Sequence, residues 1–132
     1  MNPKKNSKPE KIAKDGSSVT SYMKTLGHPM QKEIEAIRKI ILGANKKISE
    51  RMKSNAPSYF YKEEIGAFNP KAMSSVQFVI QFPKGIPKGD YGDLLEGSFK
   101  DKRIMMFSDM EDIKGKKSAL IKVMNDWCEL VG

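Results

Sequence analysis

Residues 75 to 82 read SVQFVIQF, and in them Val76, Phe78, Ile80 and Phe82 alternate with Ser75, Gln77, Val79 and Gln81. An apolar residue at every second position is the period of a β-strand, whose successive side chains point to opposite faces. One face is dry and the other carries two glutamines. Such a strand belongs in a sheet covered on one side, and antiparallel sheets are the kind that tolerate a wet face. The rest of the chain has to supply partner strands and a covering layer.

Partner strands are predicted on both sides of this one. Tyr59-Phe60-Tyr61 is an aromatic run with strand propensity, preceded by the breaker Asn55-Ala56-Pro57-Ser58. Glu64 to Phe68 is a weaker strand stopped by Asn69-Pro70, and Arg103 to Phe107 is another after the Gly- and Pro-rich loop from Pro83 to Asp93.

Helical spacing supplies the covering layer. Val19, Tyr22, Met23 and Leu26 fall at i, i+3, i+4 and i+7, with Ser17 or Ser18 as N-cap. Gly27 suits the end of that helix, and Pro29 the first turn of a second one running to Leu42. Its apolar stripe is Met30, Ile34, Ile37 and Ile41, and Lys32, Glu33, Glu35, Arg38 and Lys39 are assigned to the wet face. Gly43 and Asn45 close it, and Lys46 to Lys53 are read as a further helical turn or two. Ser108-Asp109-Met110-Glu111 matches a capping box with Ser108 as N-cap. It opens a last helix whose inward stripe is Leu120, Met124, Trp127 and Val131, with Gly115 separating its first turn from the main body. The expected fold is a two-layer α+β domain, with N-terminal helices and a C-terminal helix packed on one face of an antiparallel sheet of about four strands.

Composition bounds the class. A chain of 132 residues is one domain's worth, with 39% hydrophobic and 30% charged residues and no apolar run long enough to span a membrane. Residues 1–16 read as a disordered basic tail, and residues 17–132 as a single domain. The tail holds +3 of the +8 formal charge, and the remainder is spread over mixed-sign segments as a solvated surface would have it. One cysteine excludes an internal disulfide framework, and nine methionines suit a reducing compartment. A cytoplasmic location is expected, with no membrane partner.

No catalytic constellation is visible, and no enzyme activity is expected. His28 is the only histidine and sits between Gly27 and Pro29, where a capping or surface role fits a helix junction. Cys128, beside Trp127 on an amphipathic helix, reads as a small buried hydrophobe. Asp90, Asp93 and Glu96 lack the alternating oxygen ligands and closing glutamate of a calcium loop, so no metal and no cofactor is assigned. Lys100, Asp101, Lys102 and Arg103 offer a fork and point charges to a phosphate, or simply a charged sheet edge that discourages association. The candidate ligand-binding residues are Tyr59 and Tyr61 as an aromatic wall, Lys100 and Arg103 for an anionic group, and Glu96 and Asp101 to orient the basic pair.

The segments Asn55 to Tyr59, Val76 to Ile80, Leu95 to Arg103, Asp109 to Ile113 and Asn125-Asp126-Trp127 resemble, in order and spacing, the YdhG-like family of small bacterial domains. The resemblance runs from Val19 to Val131 and implies a frataxin-like fold, with helices against an antiparallel sheet. It implies no reaction. Frataxin-like iron binding uses acidic side chains along the first helix. Here Tyr22 to Leu42 holds only Glu33 and Glu35 beside Lys24, Lys32, Arg38 and Lys39, which disfavours an iron cargo. Relatives often carry tryptophan where Ser54 stands, so a pocket lined by that ring would be wider and more polar here, or absent. The expected function is a small binding or interaction domain for a small anionic ligand or a protein partner. The alternatives are a frataxin-like iron-binding metallochaperone and a weak nucleic-acid binder. No feature sets the oligomeric state.

Overall fold

The computed structural model describes residues 27–53, 56–97 and 101–132. The basic tail, the helix expected before Gly27, Ser54-Asn55 and Ser98 to Lys100 lie outside these residues. In chain order the elements are helix α1 (Gln31–Ala44), strands β1 (Ser49–Lys53), β2 (Ala56–Tyr61), β3 (Glu63–Phe68), β4 (Val76–Gln81) and β5 (Lys102–Phe107), and helix α2 (Met110–Val131). The five strands lie in sequence order, every neighbouring pair antiparallel, in one open sheet. The fold is therefore α+β, with one strand more than the periodicity predicts.

That additional strand is β1, where the sequence suggested helix. Its residues, SERMK, show no apolar alternation because an inward position is occupied by a glutamate: Glu50 is 2% exposed, and Arg51 and Lys53 flank it on the other face. β2 likewise begins inside the expected breaker, at Ala56. Pairing with β3 starts only at Ser58, so Pro57 sits where β2 is bordered on one side alone.

The register sorts residues by face. One row crosses all five strands through Glu50, Tyr59, Gly66, Ile80 and Arg103, and the adjacent row on the opposite face runs Arg51, Ser58, Ala67, Val79 and Ile104. The core lies on the first face. Val76, Phe78, Ile80 and Phe82 are all buried, as their alternation requires, and the rings of Tyr59, Phe68 and Phe78 form a triangle with centroids 5.2–5.9 Å apart. Ile34, Ile37 and Ile41 of α1 and Ile113, Leu120, Val123, Met124 and Trp127 of α2 join the same cluster.

Helix ends depart from expectation by a residue or two. α1 begins at Gln31, with Pro29 in the preceding turn, and continues through Gly43 to a C-cap at Asn45. α2 is capped by Asp109, which accepts from the Asp112 N–H at 2.8 Å, so the box is displaced by one position. Asp112 reaches back to the Ser108 N–H at 2.9 Å; that bond, followed by Lys116, holds its carboxyl below the usual range. Gly115 interrupts nothing, because α2 runs through it. The Trp127 indole N–H donates to the Gln81 carbonyl at 2.6 Å, tying α2 to the end of β4. Among the described residues no helix is long and apolar enough to cross a membrane.

Candidate functional site

The residues expected to form one binding surface are spread over the sheet. Tyr59 and Arg103 stand in the same cross-strand row, with Gly66 and Ile80 between them. Three strand spacings separate them, about 14 Å. Tyr59 is 0% exposed and cannot wall an open pocket. Tyr61 is half-buried, with the ammonium groups of Lys47 and Lys62 each 5.5 Å from its ring centre. Glu96 is exposed and extends the edge of β5 through paired backbone bonds to Ile104, both 2.9 Å. Asp101 is exposed and its backbone carbonyl accepts the Phe82 N–H at 2.8 Å, and Arg103 donates to the Lys102 carbonyl at 2.7 Å. The structure thus gathers Glu96, Asp101 and Arg103 along β5 and leaves both tyrosines on β2. Lys100 lies outside the described residues.

Tyr59 serves a different group. Its hydroxyl donates to Glu50 at 2.7 Å, and Arg38 meets both oxygens of the same carboxylate, Nε to Oε2 at 2.8 Å and Nη2 to Oε1 at 2.9 Å. Glu35 accepts from the remaining Arg38 nitrogen at 2.7 Å. Arg38, assigned by helical spacing to the wet face, therefore turns inward and joins α1 to β1 and β2. The hydrogen bond to Glu50 raises the Arg38 pKa above its already high ordinary value. Burial, followed by the charge of Glu50, pushes the Tyr59 phenol well above its ordinary range. Every strong donor and acceptor here is matched, which makes this a fully satisfied interior network.

His28 is also committed to the fold. It is 5% exposed; its Nδ1 accepts the Met30 N–H at 2.9 Å, so Nε2 carries the proton and donates to the Ala72 carbonyl at 2.7 Å. Cys128 is buried, and burial raises its thiol pKa. Asp90 caps its own turn by accepting the Gly92 N–H at 3.0 Å. Among the described residues no group of three or more His, Cys, Asp or Glu side chains is placed to hold a metal ion.

A trough open to solvent runs along the two helices. α1 and α2 run side by side in the same direction: Met110 shares one depression with His28 and Ala36, Ile121 shares the next with Gly43, and Asn45 donates to Asn125 at 2.9 Å. The two depressions, of about 790 and about 350 Å³, both include Lys39 and so adjoin at that side chain. In the smaller one, Ile40, Gly43 and Ile121 make an apolar floor between Lys39 of α1 and Lys117 of α2. No ion pair or hydrogen bond joins the ammonium of either lysine to another described residue, and both side chains are exposed. At the His28 end the charges are mixed, with Lys32 beside Glu33 and with Glu35 already engaged by Arg38. Sequence reasoning missed this site because both lysines read as ordinary solvated positions. Only the pairing of α1 with α2 sets them across one groove. A scan against models of known protein families finds no match for this chain, and searches of curated proteins and of solved structures find none either.

Proposed function

We propose that this chain is a cytoplasmic, non-catalytic binding domain of the YdhG-like kind, with both helices covering one face of the sheet in a frataxin-like arrangement, and that it takes an anionic partner in the trough between α1 and α2. The side-by-side helices and the single core shared with one sheet face support the architecture. The observation that carries the function is the pair of cations, Lys39 and Lys117, which no described residue pairs, across an apolar floor. A cation without a partner is electrostatic capacity that folding leaves unused, and lysine presents it as a mobile point charge. This reading uses the trough rather than the strand ends expected from sequence, because Tyr59 is spent on the core and Tyr61 packs partly buried against it.

Calorimetry with poly-L-glutamate, citrate and tripolyphosphate tests the reading. Lys39→Glu/Lys117→Glu should weaken poly-L-glutamate binding about tenfold or more, as expected for two surface pairs of up to ~1 kcal/mol each. Lys84→Glu/Lys88→Glu, on the loop after β4, removes the same charge elsewhere and should change affinity by no more than about twofold. Equal losses in the two variants would reduce the effect to net charge, and absence of binding to all three anions would remove the function.

A further inference from the structure

The trough also constrains the shape of its occupant, and this step rests on the anion-binding reading above. We infer that the occupant is an amphipathic helix of a partner protein, apolar along one stripe and acidic on both flanks. Three features of the groove point that way.

The first is the pattern of the lining. Ala36 and Ile40 of α1 and Ile121 of α2 form the floor, and the lysines stand at its two rims. A charge at each rim and hydrocarbon between them complement a helix whose i, i+3, i+4 and i+7 positions are apolar and whose neighbouring positions are carboxylates. Met110, 40% exposed, extends the apolar floor at the far end.

Length is the second feature. The two depressions touch α2 at Met110 and at Lys117 and Ile121, a span of eleven residues from first to last. At ~1.5 Å per residue this is about 16 Å, enough to seat three helical turns. Two helices lying side by side already form the groove into which the ridge of a third packs.

The third feature separates this occupant from other anions. Among the described residues no aromatic side chain lines either depression, so they supply no platform on which a base of a single-stranded nucleic acid could stack. In the smaller depression the backbone amides belong to the interiors of α1 and α2 and are consumed by helical hydrogen bonds, so that end offers no cradle for an isolated phosphate. Among the described residues the polar side chains at the smaller depression are the two lysines, and the surface between them is hydrocarbon.

The experiment uses the full chain and fluorescence anisotropy with labelled synthetic peptides of about four helical turns. One peptide carries a leucine stripe flanked by glutamates. A second has the same composition scrambled so that no stripe forms, and a third has lysines in place of the glutamates. The striped acidic peptide should bind at least about tenfold tighter than its scrambled form and should gain helical circular dichroism on binding. Lys39→Glu/Lys117→Glu should reverse the preference, losing the acidic peptide and gaining the lysine-flanked one, a gain that a misfolded variant would not show. Equal affinity for striped and scrambled acidic peptides would overturn the helical partner while leaving the anion-binding function in place. Preference for a thymidine oligonucleotide over the striped peptide would assign the trough to nucleic acid and overturn it as well. A dimer of this chain that dissociates in the double-lysine variant would assign the groove to a second copy, with the same consequence. Failure of every peptide and of poly-L-glutamate would remove both readings together.

Discussion

Glu50 is held almost wholly out of water, with Arg38 and Tyr59 both donating to its carboxylate, and the arrangement makes it sensitive to the loss of either. Glu50→Ala strands the Arg38 guanidinium against the core with only Glu35 left. Breaking a buried pair from one side costs about 3–5 kcal/mol, so urea unfolding should show a loss of that size. Tyr59→Phe removes one bond to a charged acceptor and should cost about 1.5–3 kcal/mol with the sheet unchanged. Replacing Arg38 and Glu50 together by Met and Leu, with Tyr59→Phe so that no buried hydroxyl loses its acceptor, should recover most of the stability, because no buried polar group is then left unpaired. A triple variant as unstable as Glu50→Ala would contradict this account. The sequence offered little warning of the network. Arg38 and Glu50 are twelve residues apart, one on a helix face counted as wet and one in a segment with no strand pattern.

At the scale of elements, the centre of the sheet depends on one residue without a side chain. Gly66 pairs with Tyr59 on one side and Ile80 on the other, and a Cβ there would overlap the Val79 carbonyl oxygen and come within 2.6 Å of the Phe78 ring. The first obstacle is backbone and cannot swing aside. Gly66→Ala should therefore destabilise toward the upper end of overpacking costs, about 3 kcal/mol, and amide exchange should quicken first along β3 and β4. Gly43 and Gly115 have open space at the same test position, so alanine there should be neutral or mildly stabilising through helix propensity. Strand β4 was legible because its inward side chains are all hydrocarbon. Strand β1 was not, since burial of a charge is decided by a partner that periodicity cannot see. The cap of α2 was found one residue early because Ser108 and Asp109 are both capping residue types: here Asp109 accepts the Asp112 N–H, and the Ser108 N–H and hydroxyl both donate to the Asp112 carboxylate.

For the molecule as a whole, alkaline pH is the informative variable. Burial, then the hydrogen bond to Asp126, pushes Tyr91 up to about 12, and Tyr59 is raised by burial in the same direction. A phenol whose folded value is raised favours the neutral form. Its contribution is fully present below the unfolded value near ~10 and is lost as pH rises through the folded value. Unfolding midpoints should therefore hold steady from neutral pH to ~10 and fall between ~10 and about 12. Tyr91→Phe should flatten that fall, and phenolate absorbance should show some of the tyrosines titrating only as the fold is lost. A midpoint that declines equally steeply in Tyr91→Phe would mean that other groups set the alkaline limit.

By itself the sequence determined the class and the core of this protein. Alternation in SVQFVIQF placed Val76, Phe78, Ile80 and Phe82 inside, and 3.6-residue spacing placed Ile34, Ile37, Ile41, Leu120, Met124 and Trp127 there, because hydrocarbon is sorted from water locally, residue by residue. Tertiary structure alone decided where the charges went. Arg38 and Glu50 became interior because each supplies the other's missing solvation, and Lys39 and Lys117 came to share one groove because two helices far apart in the chain lie side by side. Charge placement depends on the partner across space, and a partner across space is what a one-dimensional pattern does not contain.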